Sequence, residues 1–303
     1  GLPPLSEYTL PPVQVAEIAA RRAEEELVHS ILTDIAGFYH EKLLGNEPAL
    51  NAFRKQYGID VETIKSLRIG YADNNGLLEW LKNEKKHHPS DIVKTGSFSV
   101  DSQDNLFPFF DKRFTFPYWK QGKVVYLTGR ATQWTDNTKY EAGKKYKKLP
   151  VRSDRRKHIS RCIKNSYFYN EDSLLAGRDY TIITEGVTDC ISLMEQDFPT
   201  ISPATLAFRD RDHDKLIASL SRLKNIYICH DNEISGAGLK GALSTARFLS
   251  EKGLAAEIIA LPLFEDQSEA RKTLAEKFGI REGLGTDEIN KKIAALSPKD
   301  RNA

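Results

Sequence analysis

Two short runs place acids where strands would end. Glu185 and Gly186 follow the β-forming run Tyr180-Thr181-Ile182-Ile183-Thr184, and Asp189 comes one helical turn later. Asp231-Asn232-Glu233 follows Asn225-Ile226-Tyr227-Ile228-Cys229-His230, with Gly236 and Gly238 close behind. In an open parallel sheet, ligands bind beyond the carboxyl ends of the strands, so neighbouring strands would bring both acidic runs to one edge. Clustered carboxylates raise one another's pKa. A divalent cation such as Mg²⁺ relieves that repulsion, because it takes oxygen ligands and bridges to phosphates. No His or Cys partner suggests zinc. The competing reading is helix capping, worth about 1 kcal/mol. It suits Asp189, which can orient the turn after Gly186. Two acidic strand ends in one α/β unit favour a metal site for Glu185, Asp231 and Glu233.

Those acids need a sheet behind them. From residue 180, strands at 180–184, 225–230 and 256–261 alternate with helices at 187–196 and 238–252, the pattern of a parallel sheet with right-handed crossovers. Upstream, the spacing of Ala16, Ala19, Ala20, Ala23, Leu27, Ile31 and Ile35 predicts a helix over 13–53, with Arg21, Arg22, Glu24 and Glu25 opposite. Asp60 is positioned to cap a short helix over Val61–Arg68, and residues 77–86 make another. Phe114–Phe116 and Lys123–Leu127 flank Gln121-Gly122 as a hairpin. The expected organisation is an arm at 1–12, a mixed α+β subdomain at 13–175, an α/β parallel-sheet domain at 176–265, and a helical segment at 266–303.

The 303 residues are 40% hydrophobic and 28% charged, as in an ordinary globular protein with room for two domains. The three scattered cysteines, Cys162, Cys190 and Cys229, argue against a disulfide scaffold or a zinc ribbon and for a reducing compartment. No apolar run approaches the ~18 residues of a membrane span, and the first residues lack a signal peptide's basic and apolar regions; the expectation is a cytoplasmic protein. The net charge of +2 hides a basic block: residues 139–164 hold eleven Lys and Arg against two acids, a net +9, which leaves about −7 for the rest. Tyr140, Tyr146, Tyr167 and Tyr169 lie in or beside it. Lysine and arginine contact phosphates, and aromatic rings stack on bases, so this block is read as a single-strand-binding segment rather than a solvated loop. His87 and His88 read as surface residues, His230 as a packed histidine, Cys190 and Cys229 as core, and Trp119 and Trp134 as packing around the hairpin.

Glu-Gly-x-x-Asp after one strand and Asp-x-Glu before a glycine-containing helix after a later strand resemble the TOPRIM fold of bacterial-type primases, topoisomerases and some nucleases. Residues 35–72, IAGFYHEKLLGNEPALNAFRKQYGIDVETIKSLRIGYA, resemble the start of the catalytic core of bacterial replicative primases of the DnaG type. Phe110–Pro117 resembles that family's R-x-x-F-P element, and Val125–Arg130 its G-x-x-G-G-R strand. Lys145-Tyr146 is similar to its lysine-tyrosine segment, with Lys139-Tyr140 as a rival alignment. The resemblance spans about residues 35–280, and the order and spacing of its motifs make it specific.

The resemblance implies a TOPRIM sheet behind a primase-core subdomain. It also implies metal-dependent synthesis of short RNA primers on single-stranded DNA from nucleoside triphosphates. Glu185, Asp231 and Glu233 fall on the metal-binding acids, for Mg²⁺ or Mn²⁺, and Glu185 could also help accept the 3′-hydroxyl proton. Arg113, Arg130 and Lys145 fall on basic positions facing template or triphosphate, and Lys147, Lys148 and Arg152 extend them. The chain departs from the family in reading Asp-Asn-Glu for Asp-x-Asp. It also reads Glu265-Asp266-Gln267-Ser268-Glu269 where the family has a second acidic run, keeping Asp266 and replacing an acid with Ser268, so that a second metal would be held more weakly, or by Asp266 with Glu269. A replicative helicase or a separate zinc-binding module is an expected partner, and no membrane is. The chain reads as an excised core or a stripped-down primase, of bacterial, phage or plasmid origin, starting primers with reduced template selectivity. Two rivals remain: a TOPRIM nuclease or topoisomerase using the same acids, and a non-catalytic single-strand-binding module.

Overall fold

The computed structural model describes residues 11–136, 145–203, 210–232 and 236–261. Two compact units divide the chain. The first comprises residues 1–52, 65–117 and 122–165; the second comprises 53–64, 118–121 and 166–303.

In the first unit, α1 (Pro12–Leu44) begins on prolines, which fit a first helical turn because its N–H groups have no intrahelical partner. The helix expected over 13–53 divides in two. Gly45 closes α1, and the Asn46 side chain accepts the Ala49 N–H at 3.0 Å to open α2 (Glu47–Tyr57). The expected apolar stripe is buried only in part. Ala16, Ala19, Ala20 and Ala23 are exposed, and Leu27 is 37% exposed. Alanines offer little area to bury; the buried face starts where the side chains enlarge, with Val28, Ile31, Leu32, Ile35, Tyr39 and Leu43.

Further along the chain come α3 (Val61–Ser66), β1 (Gly70–Tyr71), α4 (Leu77–Asn83), α5 (Pro89–Ile92), β2 (Phe98–Val100) and β3 (Leu106–Pro108). They are followed by β4 (Arg113–Lys120), β5 (Lys123–Ala131) and β6 (Tyr146–Lys148). The β1-β4-β5-β6 sheet is antiparallel where β1 meets β4 and where β5 meets β6, and α1 packs on β1 and β5. The hairpin between β4 and β5 turns on Gln121 (φ 48°) and Gly122 (φ 76°). Two successive positive φ values match the right-handed strand twist, and glycine reaches them without a Cβ clash.

The second unit carries the α/β half: β7 (Phe168–Tyr169), β8 (Tyr180–Thr184), α6 (Val187–Met194), β9 (Thr200–Pro203), α7 (Asp210–Leu220), β10 (Asn225–Cys229), α8 (Ala237–Glu251) and β11 (Glu257–Ile258). The sheet order is β11-β10-β8-β9-β7. The parallel sheet expected from the sequence is present across β11, β10, β8 and β9, with β7 antiparallel at one edge. Alternation along the strands covers both faces. Ile183, Ile226 and Ile228 pack with Leu216 and Leu220 of α7 and Leu249 of α8. Ile182 packs with Phe198 and with Leu193 of α6 on the other face.

Candidate functional site

β8 and β10 are neighbours, paired in parallel with Cys229 opposite Thr184. Glu185 is the next residue on one strand and His230-Asp231 the next two on the other, so both acids leave the same edge of the sheet. The Glu185 side chain and the Asp231 backbone both lie against Gly238, in the first turn of α8. A Cβ at Gly238 would stand 2.0 Å from the Asp231 carbonyl oxygen and 3.1 Å from Glu185 Oε2. Only a glycine lets the helix start this close to both strand ends. Glu185 is half-buried, with Oε2 shielded from solvent, and Asp231 is exposed.

The turn after Glu185 is held from within. Asp189 Oδ2 accepts the Gly186 N–H at 3.1 Å, so Asp189 caps α6. Asn232 donates to the Leu261 carbonyl at 2.6 Å, anchoring the run after Asp231. His230 is buried, with Nδ1 donating to the Gly238 carbonyl at 3.3 Å, and burial holds its pKa below the usual value. At neutral pH it is a neutral strut between β10 and α8. The packed histidine expected from the sequence is therefore present; the helix it would meet was not legible there.

The donors suit a hard cation. Burial pushes the thiols of Cys190 and Cys229 up to about 12, so neither offers a thiolate near this edge. Among the described residues, no three His, Cys, Asp or Glu side chains form a metal-holding group. Glu233, Asp266 and Glu269 lie outside the described residues, as do Ser268, Lys139, Tyr140, Lys144 and the segments 1–10 and 266–303.

The basic residues fall into distinct settings in the first unit. Arg113 has no exposed surface, so its guanidinium cannot meet a strand or a triphosphate in this structure. Arg130 Nη1 donates to the Tyr146 hydroxyl at 2.6 Å across the β5–β6 pair. Lys147 lies opposite Gly129, with Nζ 4.4 Å from the Phe109 ring centroid. Strand alternation puts Lys147 on one face of the sheet and Lys148 with Arg130 on the other. Lys145 is exposed at the start of β6. Arg152 ties the following loop, donating to the Ile159 carbonyl at 3.1 Å and also to the Lys157 carbonyl. Phe109 as a cation partner was missed in the sequence, because it lies between β3 and β4, remote in the chain from Lys147.

Residues 38–148 match the family described as the N-terminal domain of the DNA primase catalytic core, and residues 182–270 match a family described as Toprim-like. Among solved structures, the Aquifex aeolicus primase fragment with zinc-binding and RNA polymerase domains superposes with a TM-score of 0.68 at 21% identity. The alignment covers 90% of this chain and 62% of that one, so the chain spans less than two thirds of that relative. The RNA polymerase domain of Mycobacterium tuberculosis primase DnaG gives 0.66 at 15% identity, covering 89% and 84%. A DnaG primase catalytic domain bound to single-stranded DNA gives 0.60 at 17% identity, covering 90% and 82%. No curated protein sequence matches.

Proposed function

Because the chain belongs to the DnaG-type primase catalytic cores of the Toprim superfamily, we propose that it synthesises short RNA primers on single-stranded DNA from nucleoside triphosphates. The observation that carries the reading is the placement of Glu185 and Asp231 at the ends of two paired parallel strands, with the Glu185 side chain and the Asp231 backbone both against Gly238. Glu185 and Asp231, with Glu233 and Asp266, would hold Mg²⁺ or Mn²⁺. Such an ion, when bound, lowers the pKa of an attacking hydroxyl and neutralises charge on the triphosphate. Phosphoryl transfer asks a protein mainly for alignment and charge stabilisation. Glu185, rooted in β8, supplies a positioned carboxylate that can also accept the 3′-hydroxyl proton.

Arg130, Lys145, Lys147, Lys148 and Arg152 are assigned to template or triphosphate phosphates, with Phe109 and Tyr146 beside them as surfaces on which bases can stack. Single-stranded DNA in a solved relative supports the template assignment. A replicative helicase or a separate zinc-binding module is the expected partner, and the cytoplasm the expected compartment.

The test is primer synthesis on mixed-sequence single-stranded DNA with labelled NTPs and either Mg²⁺ or Mn²⁺. The unmodified chain should give short ribonucleotide products. Glu185→Gln and Asp231→Asn should each lose roughly 100-fold or more of that activity. Template cleavage without synthesis would replace this reading with a nuclease. Metal-independent strand binding without products would replace it with a binding module.

A further inference from the structure

The first unit contains a cavity of about 580 Å³ lined by none of the acids proposed to hold the metal, although Arg152 belongs to its wall. Its walls are the exposed half of α1 and the loop after β6. Arg21, Glu24 and Glu25 come from the helix, and Arg152, Arg161 and Lys164 from the loop. The volume suits a small molecule. None of the lining side chains is aromatic, and the only apolar ones are Ala20 and Cys162. An apolar ligand would find little to bury against, so the chemistry of this cavity is charge.

The charges do not cancel. Four cations face two carboxylates, and among the described residues Arg21, Arg161 and Lys164 form no ion pair, although Glu24 and Glu25 share the walls. Glu24 accepts from Ser160, a buried residue of the same wall, at 2.5 Å, which fixes its carboxylate in place and leaves the walls with a net charge of +2, four cations against two carboxylates. Arg152 braces the loop by its bonds to the Lys157 and Ile159 carbonyls, which pre-orders the wall carrying Arg161 and Lys164. Three uncommitted cations around one concavity make a site for a compact polyanion, since guanidinium and ammonium groups bind phosphate oxygens by charge-assisted hydrogen bonds. Glu25 adds an acceptor for hydroxyl or amino donors, which a bare inorganic anion lacks and a nucleoside carries.

We infer that the cavity between α1 and the 152–164 loop binds a nucleoside polyphosphate, with Arg21, Arg161 and Lys164 on the phosphates and Glu25 on the nucleoside. This site lies wholly within the first unit and goes beyond the proposed function; it requires neither Glu185 nor Asp231. A longer strand is disfavoured as the occupant because the concavity is the size of one small molecule.

Cys162 lines the cavity and is half-buried, which makes it a built-in reporter. Alkylation of Cys162 in the full chain, followed by mass spectrometry, is measured against increasing inorganic tripolyphosphate, ATP or a short oligonucleotide, without divalent metal. Tripolyphosphate and ATP should slow the modification saturably, ATP at the lower concentration. Arg21→Ala with Arg161→Ala should weaken that protection by about tenfold or more. Glu25→Gln should tighten tripolyphosphate and loosen ATP. Glu185→Gln should leave protection unchanged even as priming falls, which separates this site from the reaction. Thermal melting by circular dichroism checks that each variant is folded, and Glu25→Gln, which keeps every cation, tests the idea if the double variant unfolds. Failure of millimolar tripolyphosphate and ATP to protect Cys162 would overturn the inference. So would protection indifferent to the arginine changes. Protection by the oligonucleotide at lower concentration than ATP would instead make the cavity part of a strand path.

Discussion

Gly238 is the residue at which the candidate site can be broken without touching an acid. Its missing Cβ lets the first turn of α8 lie against the Asp231 carbonyl and Glu185 Oε2. A methyl group there would stand 2.0 Å from backbone oxygen, closer than real contacts allow. Backbone cannot swing away as a long side chain can, so α8 and the β10 end must separate. Since a misplacement of about 1 Å can cost roughly 100-fold in rate, Gly238→Ala should lower primer synthesis by about that factor while the chain stays folded. Paired activity and melting measurements check it; full activity in Gly238→Ala would mean that the Glu185–Asp231 geometry does not limit the reaction. The strand-end placement of Glu185 and Asp231 was legible, because apolar runs that stop at an acid leave a local signature. Arg113 was not, because a basic residue in a strand gives no sign of its depth, and here it is buried entirely.

At the scale of elements, the second unit is pinned by an ion cluster. Glu171 accepts from Lys120 at 2.9 Å and from Lys215 at 2.5 Å, so the end of β4 and helix α7 share one carboxylate. Burial alone would raise the Glu171 pKa, but the hydrogen bonds and charges of Lys215 and Lys120 outweigh it and hold it below the ordinary 4.5. The folded state therefore binds this proton less readily than the unfolded chain. The stabilisation is fully present above pH 4.5 and is lost as pH falls through the folded pKa. Glu171→Gln should cost about 1–2 kcal/mol at neutral pH, toward the low end because both lysines are partly solvated. The melting-temperature gap between the two proteins should be widest at neutral pH and close as the pH falls below about 4.5. A gap independent of pH would assign the loss to packing rather than charge.

The same scale shows what a sequence can carry. The Gln121-Gly122 turn, the strands β8 and β10 and the helix α8 were all legible, because turn chemistry and apolar runs act within a few residues. Strand β9 was not: Thr200–Pro203 is short and bounded by Pro199 and Pro203, a composition that argues against a strand until β8 and β7 flank it. The division of α1 from α2 hung on Gly45 and Asn46 inside an unbroken helical pattern. The exposure of Ala16 to Leu27 depended on what lies beside the helix, which periodicity alone does not reveal.

For the whole molecule, charge is concentrated rather than abundant. The chain totals +2, while residues 139–164 carry +9. At physiological salt a charge is felt over only about 8 Å, so affinity for a strand follows local density rather than the total. Binding to single-stranded DNA should therefore weaken steeply with salt, at a slope of about −0.7 in log K per phosphate neutralised. The β5–β6 pairing sends Lys147 and Lys148 to opposite faces, with Lys145 exposed beside them. Replacing Lys145, Lys147 and Lys148 with Gln together should flatten the slope by roughly 2 if all three meet phosphates, and by only about 0.7–1.4 if the strand follows one face. Fluorescence anisotropy of a labelled oligonucleotide between about 50 and 200 mM salt reads the difference, and the single changes Lys147→Gln and Lys148→Gln then identify the face. An unchanged slope in the triple variant would remove β6 from the template path and leave the loop arginines to carry it.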